Sequence, residues 1–464
     1  MIPSDALREL RDILGRDNVI TDPGELAAYS YDAQPVKAVP EVMVLVSGAG
    51  DVAAVVRCAA CHGIPVVARG AGSGQTGGSV PERGGMVINL ERMNRTIGIN
   101  IEDRIGYFQP GVITGDFQKA AARMGLFYPP EPASAHFSTI GGNVAESAGG
   151  LGCVKYGLTK HFIAGLVFVT AAGDIVKTGV YTEYESPFDV GALLAGSEGT
   201  LGIITEAAVR FIGLPESRVT VLGLFRSLPE AARASNAVLA SGANPSVLEF
   251  MDRSCIDTVR DYADVAIHDE TGALLIVELD GDRDGVEAGH GVVLDALRRH
   301  NPIELRSARS GKDREALWKL RNSLSPAIAK IAPLKFNEDI CVPLSRIPEM
   351  ADFVEQLGKR RDVRVVTFGH SGDGNLHVNF MTHWKRPYEV ARVKDAIGEL
   401  FRETVRMGGA LSGEHGIGIA KRPYIGIELD DATIDFEKRV KRAFDPGDLL
   451  NPGKMFPEEK VLDL

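Results

Sequence analysis

Two short clusters hold most of the side chains that could do chemistry. The first, HSGDGNLHVN, runs from His370 to Asn379 and lies between the apolar runs Val363 to Phe368 and Leu376 to Phe380. Asp-Gly between two such runs is a favoured two-residue hairpin turn. With Asp373-Gly374 as the turn, His370 faces His377, and directly opposed Cβ atoms lie about 5 Å apart. Asn379 points the same way as His377, two residues on. The second cluster is GALSGEHGIG, where Glu414 and His415 stand between Gly413, Gly416 and Gly418. Adjacent residues of a regular strand face opposite ways, so these glycines imply a bent segment that aims both side chains at one place.

Either cluster alone reads as a polar turn. Taken together, two neutral imidazoles and one carboxylate make an open divalent-metal set, with His370, His377 and Glu414 as ligands and room for an exogenous one. Such a set suits zinc, manganese or iron and does not choose among them.

The elements that must position these residues come from a chain of 464 residues, enough for two or three lobes. With 51 basic and 62 acidic residues the net charge is −11 and no basic face is evident, which disfavours a nucleic-acid role. The first residues read as a capped amphipathic helix through Leu7, Leu10, Ile13 and Leu14, not as a secretory signal. No apolar run approaches the ~20 residues of a membrane span. A cytoplasmic protein is expected, with peripheral attachment to the inner face of a membrane only through a partner. The five cysteines have no disulfide-framework spacing. Cys58, Cys61 and His62 match a c-type haem attachment pattern, but they fall in an apolar-periodic helix that reads as packed core.

From Glu41 to Ala172 short strands alternate with helices: Glu41 to Val46, a helix to about Cys61, Pro65 to Arg69, Met86 to Leu90. The segment RGAGSGQTGGS, Arg69 to Ser79, follows one of these strands. Its glycines let backbone N–H groups approach a phosphate without Cβ interference, and Ser73, Thr76 and Ser79 add hydroxyls. It is neither a Walker loop nor a Rossmann fingerprint. Two more glycine-rich stretches follow, STIGGNVAESAGG from Ser138 and GSEGTLGIITE from Gly196. Three such segments suit a long ligand laid across the domain, as FAD would be.

After Pro215 the texture changes to strands Arg218 to Phe225, Ser246 to Phe250 and Leu274 to Leu279 with long helices between, a second α+β lobe. A single helix is expected from Lys312 to Lys330, putting Arg321 and Ser325 on one face. Lys335 follows, and Arg321 and Lys335 are candidate cations for a substrate carboxylate. Turn signals at Asp445-Pro-Gly and Asn451-Pro-Gly predict an ordered cap.

In the order RGAGSGQTGGS, STIGGNVAESAGG, GSEGTLGIITE, HSGDGNLHVN, SGEHGIG and NPGK, the chain resembles the FAD-linked D-2-hydroxy acid dehydrogenases. That family, which takes in D-lactate dehydrogenase, the flavin subunit of glycolate oxidase and D-2-hydroxyglutarate dehydrogenase, falls within the vanillyl-alcohol-oxidase superfamily. The resemblance covers about Asp32 to Pro457. It implies an α+β fold: an FAD-binding domain of the para-cresol methylhydroxylase type over 1–215, a substrate domain with an antiparallel sheet over 216–420, and a C-terminal segment, 421–464, packing back on the first.

By that resemblance Arg69, Gly70, Gly72, Ser73, Gly74, Gln75, Thr76, Gly77, Gly78 and Ser79 would hold the FAD pyrophosphate. Pro132, Ser138, Thr139, Gly141, Gly142, Asn143, Ala145, Gly149 and Gly150 would line the rest of the cofactor, together with Glu198, Gly199, Gly202 and Ile204. Asn451 would reach the flavin from the tail. His370, His377 and Glu414 match the family's metal ligands, and His415 its base. Arg321, Lys335 and Asn379 match substrate contacts, with Ser325 beside Arg321. Ser73 stands where some superfamily members carry a flavin-linking histidine, so noncovalent FAD is expected.

The chemistry follows from the residue types. A 2-hydroxy acid chelates a divalent ion through hydroxyl and carboxylate, the ion lowers the hydroxyl pKa, His415 takes the proton, and the C2 hydride passes to flavin N5. A small D-2-hydroxy acid, D-lactate or glycolate, is favoured; 2-hydroxyglutarate is the alternative. No iron–sulfur cysteine cluster is present, so the resemblance implies a separate iron–sulfur or quinone-linked acceptor. A metal-dependent hydrolase without flavin and a noncatalytic flavin subunit are the rival readings. Oligomeric state is not encoded in any of these patterns.

Overall fold

A computed structural model describes residues 2–183, 187–260 and 266–457. The chain divides into two compact units, one of Met1–Ala148, Leu158–Leu214 and His415–Leu464, the other of Gly149–Gly157 and Pro215–Glu414.

The first unit contains two main sheets. In the smaller one the order is Val19–Ile20, Val42–Leu45, Met86–Asn89, Val66–Arg69, the last three parallel. Helix Ala49–His62 supplies the crossover that parallel strands need. It lays Val52, Val55, Val56 and Ala59 against Val44 and Ile88 in one buried cluster. Gly63, at φ +61°, ends the helix in the left-handed conformation that glycine adopts without penalty. Cys58 is buried within this helix, as expected of packed core, whereas Cys61 is exposed, which corrects that expectation for the second cysteine. The second sheet is antiparallel, in the order Thr96–Asn100, Ile105–Phe108, Ile203–Arg210, Ile163–Val169, Ile175–Lys177.

The tail pairs with this unit through its backbone. Val66 N–H donates to Leu449 O and Asn451 N–H to Val66 O, at 2.8 and 2.7 Å. The buried carboxylate of Asp445 accepts from the N–H groups of Leu449 and Leu450, at 3.0 and 2.7 Å. The loop-rich sequence is thereby fixed by backbone pairing and not by a helix or strand of its own.

The second unit is built on a seven-stranded antiparallel sheet. Its order is Glu304–Ala308, Ser217–Phe225, Ala273–Gly281, Val247–Asp252, Arg364–His370, Asn375–Thr382, Leu334–Cys341. The short 149–157 segment belongs here because Lys155 Nζ and Tyr156 Oη both donate to Asp280 Oδ1, each at 2.7 Å. Among the described residues no helix is long and apolar enough to cross a membrane.

Two local expectations are corrected. The 312–330 stretch is two helices, Gly311–Asn322 and Leu324–Ile328, broken at Ser323. Pro326 has no N–H for the carbonyl four residues back, which is tolerated only in a helix's first turn. The side chain of Ser325 lies outside the described part of the structure.

The hairpin register is also different: Phe368, not His370, pairs with His377, and residues 371–374 form the turn. The cause is tertiary. Ser371 Oγ and Gly372 N–H both donate to Leu248 O on the neighbouring strand, at 3.2 and 3.3 Å, so neither is left to extend the hairpin ladder. Gly374, at φ +86°, allows Val342 O to approach where a Cβ would lie 2.1 Å away. A slip of two residues keeps every side chain on its original face, whereas a slip of one would have reversed them. His370 and His377 therefore still share a face.

Candidate active site

In the second unit, three ligand atoms converge. His370 Nε2 lies 3.3 Å from His377 Nε2, and Glu414 Oε1 lies 3.2 Å from the first and 3.5 Å from the second. The two rings meet edge to face, with centroids 5.1 Å apart. An ion with bonds of about 2.1 Å to each would need tetrahedral ligand atoms about 3.4 Å from one another. The three separations fit, so the residues present suit a divalent ion with open positions.

Each imidazole also has a carboxylate behind it. Glu249 lies directly opposite His370 across the sheet, and its Oε1 meets His370 Nδ1 in a short hydrogen bond. Asp339 lies opposite His377, with Oδ1 3.9 Å from His377 Nδ1. A hydrogen-bonded partner such as Glu249 fixes ring tautomer and orientation in metal sites. Burial works against a charge on His370, but Glu249 and Glu414 together outweigh it and raise its pKa well above the ordinary value.

Asp339 has a second task. Its Oδ2 accepts from Gly413 N–H at 3.1 Å, Glu414 N–H at 2.9 Å and Ser412 Oγ at 3.2 Å, while Asn375 Nδ2 donates to Oδ1. One buried carboxylate thus fastens the Glu414 segment to the histidine hairpin. The expected bend at Gly413 has a direct reason, for a Cβ there would lie 1.9 Å from Asn375 Nδ2.

The predicted substrate contacts fall on this same sheet face or beside it. Arg321 is buried and its Nε donates to Glu249 Oε2 at 2.8 Å, with the guanidinium 4.7 Å from the centre of the Phe368 ring. Arg321, Glu249 and His370 therefore form one chain of charge-assisted bonds. Replacing Glu249 with alanine would strand a buried guanidinium, and unfolding in urea is expected to show a loss of about 3–5 kcal/mol. Asn379 is fully buried; its Nδ2 donates to Val366 O and His377 O, leaving Oδ1 without a partner. Lys335 sits opposite Met381, two strand positions from Asn337 and four from Asp339. Burial pushes its pKa below the ordinary lysine value.

In the first unit the three glycine-rich segments meet. A Cβ on Gly70 would lie 2.3 Å from Thr139 Oγ1, so the first segment rests directly on the second. Gly196 and Glu198 N–H groups donate to Val144 O and Ala145 O, at 3.0 and 2.9 Å, joining third to second. Asn451 Nδ2 donates to both Gly78 O at 2.8 Å and Glu198 O at 2.7 Å, stitching first to third.

Several predicted cofactor contacts turn inward. Arg69 braces the loop through Tyr31 O, 2.8 Å, and Ser79 Oγ, 3.2 Å, and Thr76 Oγ1 donates to His415 O at 3.3 Å. Gly72 and Gly77 have φ of +65° and +84°, and a Cβ on Gly72 would run into the Arg69 guanidinium. Ser138 Oγ and Asn451 Oδ1 are buried with no partner. A glycine cradle with orphaned polar atoms beside it fits a polar, phosphate-bearing cofactor. Gly149 and Gly150 fall in the segment that belongs to the second unit.

Glu249 and Asp339 escaped the sequence reading. For Glu249 the signal was a lone acid within the apolar run SVLEFM; Asp339 is the second of two adjacent acids, Glu338 and Asp339, directly before Ile340, and nothing local set it apart.

The fold is of the p-cresol methylhydroxylase type. p-Cresol methylhydroxylase with substrate bound superposes with TM-score 0.81 over 97% of this chain and 96% of its own, at 18% identity. Alkyldihydroxyacetonephosphate synthase gives 0.76 over 98% and 85%, at 19% identity.

Residues 40–179 match the FAD binding domain, and residues 214–455 match the C-terminal domain of FAD linked oxidases. Among relatives, the glycolate oxidase subunit GlcD of Bacillus subtilis is 36% identical over 99% of this chain and 98% of its own. A D-lactate dehydrogenase of Anaerostipes hadrus is 34% identical over 90% of each chain. The D-2-hydroxyglutarate dehydrogenase of Stutzerimonas stutzeri is 31% identical over 97% of this chain and 98% of its own. The chain belongs to the FAD-linked oxidases, and is an FAD-dependent oxidoreductase.

Proposed function

We propose that the protein oxidises a small D-2-hydroxy acid, glycolate or D-lactate, to the 2-oxo acid, with a divalent ion held by His370, His377 and Glu414. The observation that carries this reading is the triangle of ligand atoms 3.2–3.5 Å on a side, each imidazole backed by a carboxylate. A 2-hydroxy acid is a chelating ligand for such a centre. Relatives named for glycolate, lactate and 2-hydroxyglutarate share that chemistry, and the glycolate oxidase subunit has the higher identity.

When bound, FAD supplies a hydride acceptor and the ion a Lewis acid. The chain supplies the rest. His415 takes the hydroxyl proton at a ring nitrogen. Lys335 neutralises the substrate carboxylate, Arg321 holds Glu249 and so His370, and Asn379 presents its unpaired amide oxygen. A separate iron–sulfur or quinone-linked partner would take up the electrons.

Lys335 gives this reading a pH signature. Its cation binds the carboxylate below its pKa and is lost above it, and burial lowers that pKa. KM for the acid is therefore expected to climb at a pH below the ~10.4 of an ordinary lysine; a Lys335→Arg variant should carry the rise to higher pH.

The reading is tested by incubating the isolated protein with D- and L-lactate and glycolate and an artificial electron acceptor. Formation of pyruvate from the D isomer or of glyoxylate is expected. A colourless protein, or one forming no 2-oxo acid from any of these, contradicts it. Turnover only of 2-hydroxyglutarate would move the substrate class to dicarboxylates.

A further inference from the structure

The segment carrying His415 is held from one side by a single carboxylate. Glu198 Oε1 accepts from Ile417 N–H at 2.7 Å and Glu198 Oε2 from Gly418 N–H at 2.8 Å. From the other side Thr76 takes hold three times: its Oγ1 donates to His415 O at 3.3 Å, and its O accepts from Ile419 and Ala420 N–H at 2.8 and 3.1 Å. All these residues lie in one compact unit. Five hydrogen bonds over six residues leave the backbone from 415 to 420 little freedom.

The glycines around the histidine fit the same picture. A Cβ on Gly416 would stand 2.7 Å from Glu198 Oε1 and 2.9 Å from Glu146 Oε2; one on Gly418 would stand 2.3 Å from Thr76 O. Their φ values of +85° and +49° lie in the left-handed region. Glycine is thus required at 416 and 418 because carboxylate and backbone close in on the turn. Glu198 itself adopts φ +53°, a conformation uncommon outside glycine, and its carbonyl is pinned by Asn451 Nδ2 at 2.7 Å. Both ends of this residue, side chain and carbonyl, are spent on holding chain segments.

We propose that Glu198 and Thr76 form a clamp that positions His415, and that Glu198 is a positioning residue rather than a contact of the cofactor. The inference rests on the reading of His415 as the base. Two charge-assisted bonds to consecutive N–H groups fix the direction of the chain just after the imidazole, and so the approach of the ring to the proton it must accept.

The experiment uses the FAD-loaded full chain with Glu198→Gln, which keeps the shape but turns one acceptor into a donor facing an N–H. Amide hydrogen exchange over 415–420 is expected to quicken about tenfold, the effect of losing one charged hydrogen bond of roughly 1.5 kcal/mol. Bound FAD should stay at the wild-type ratio. Anaerobic flavin reduction should slow at saturating hydroxy acid with KM little changed, and its pH profile should shift, which loss of stability alone would not produce. Unchanged exchange over 415–420, or loss of FAD from the variant, overturns the proposal.

If Glu198→Gln does not fold, Thr76→Val removes only the hydroxyl at His415 O, and the same exchange and pH readouts decide. Should the wild-type flavin not respond to any hydroxy acid, the reading of the reaction fails, while the exchange measurement still establishes or refutes the clamp.

Discussion

Replacing His415 with alanine is expected to leave FAD bound and to slow its reduction by the 2-hydroxy acid by about 10²–10⁴-fold, the range general-base catalysis contributes. The clamp does not use the imidazole side chain. The backbone is held through His415 O, Ile417, Gly418, Ile419 and Ala420, so truncating the imidazole leaves the turn in place. Stopped-flow bleaching of the flavin under anaerobic conditions measures the effect. A variant that bleaches at the wild-type rate would assign the base elsewhere.

The second large effect concerns the proposed ion. With Glu414→Ala the triangle loses its only carboxylate, and two neutral imidazoles remain. The variant is expected to purify with divalent metal well below one equivalent and to lose flavin reduction to a degree at least matching the loss of the base. Glu249→Gln should be milder, with metal affinity down about 10–100-fold, as for outer partners of ligating histidines. Metal analysis of the same samples separates the two cases. Full metal content in the Glu414→Ala protein would show that the carboxylate is not a ligand.

Chelation offers the reverse experiment. Dialysis against a strong chelator is expected to abolish reduction of the flavin by hydroxy acid without removing the flavin, and added Mn²⁺, Zn²⁺ or Fe²⁺ should restore it. The ion that restores most activity identifies the physiological choice among three that the donor set alone does not separate.

The parts of this arrangement that could be read from the sequence were those whose chemistry is carried by residue type. Histidines and a glutamate set among glycines stood out because glycine is poor strand material and needs a reason. The alternation of short apolar runs with helices marked the first unit. Asn-Pro-Gly marked the tail. Each of these signals is local.

What could not be read was pairing over distance. The hairpin slipped by two because Ser371 prefers Leu248, 123 residues earlier in the chain. Arg321 was read as a cation for a substrate carboxylate, while its Nε is bonded to a carboxylate of the chain itself, Glu249, 72 residues upstream in an apolar strand. Glu198 sat in a glycine-rich stretch and was read with it, while its acceptor atoms serve N–H groups about 220 residues away. Thr76 and Ser79 were counted as phosphate donors; Thr76 Oγ1 donates to His415 O, and Ser79 Oγ accepts from Arg69. In each case the residue type was legible and the identity of its partner was not.

The proposed reaction is tested most directly by mixing the metal-replete protein anaerobically with D-lactate, L-lactate and glycolate and following the flavin absorbance. Bleaching by glycolate or D-lactate and not by L-lactate, abolished by prior chelation, is the predicted result. Bleaching that is indifferent to chelation, or absent with every 2-hydroxy acid, would contradict it.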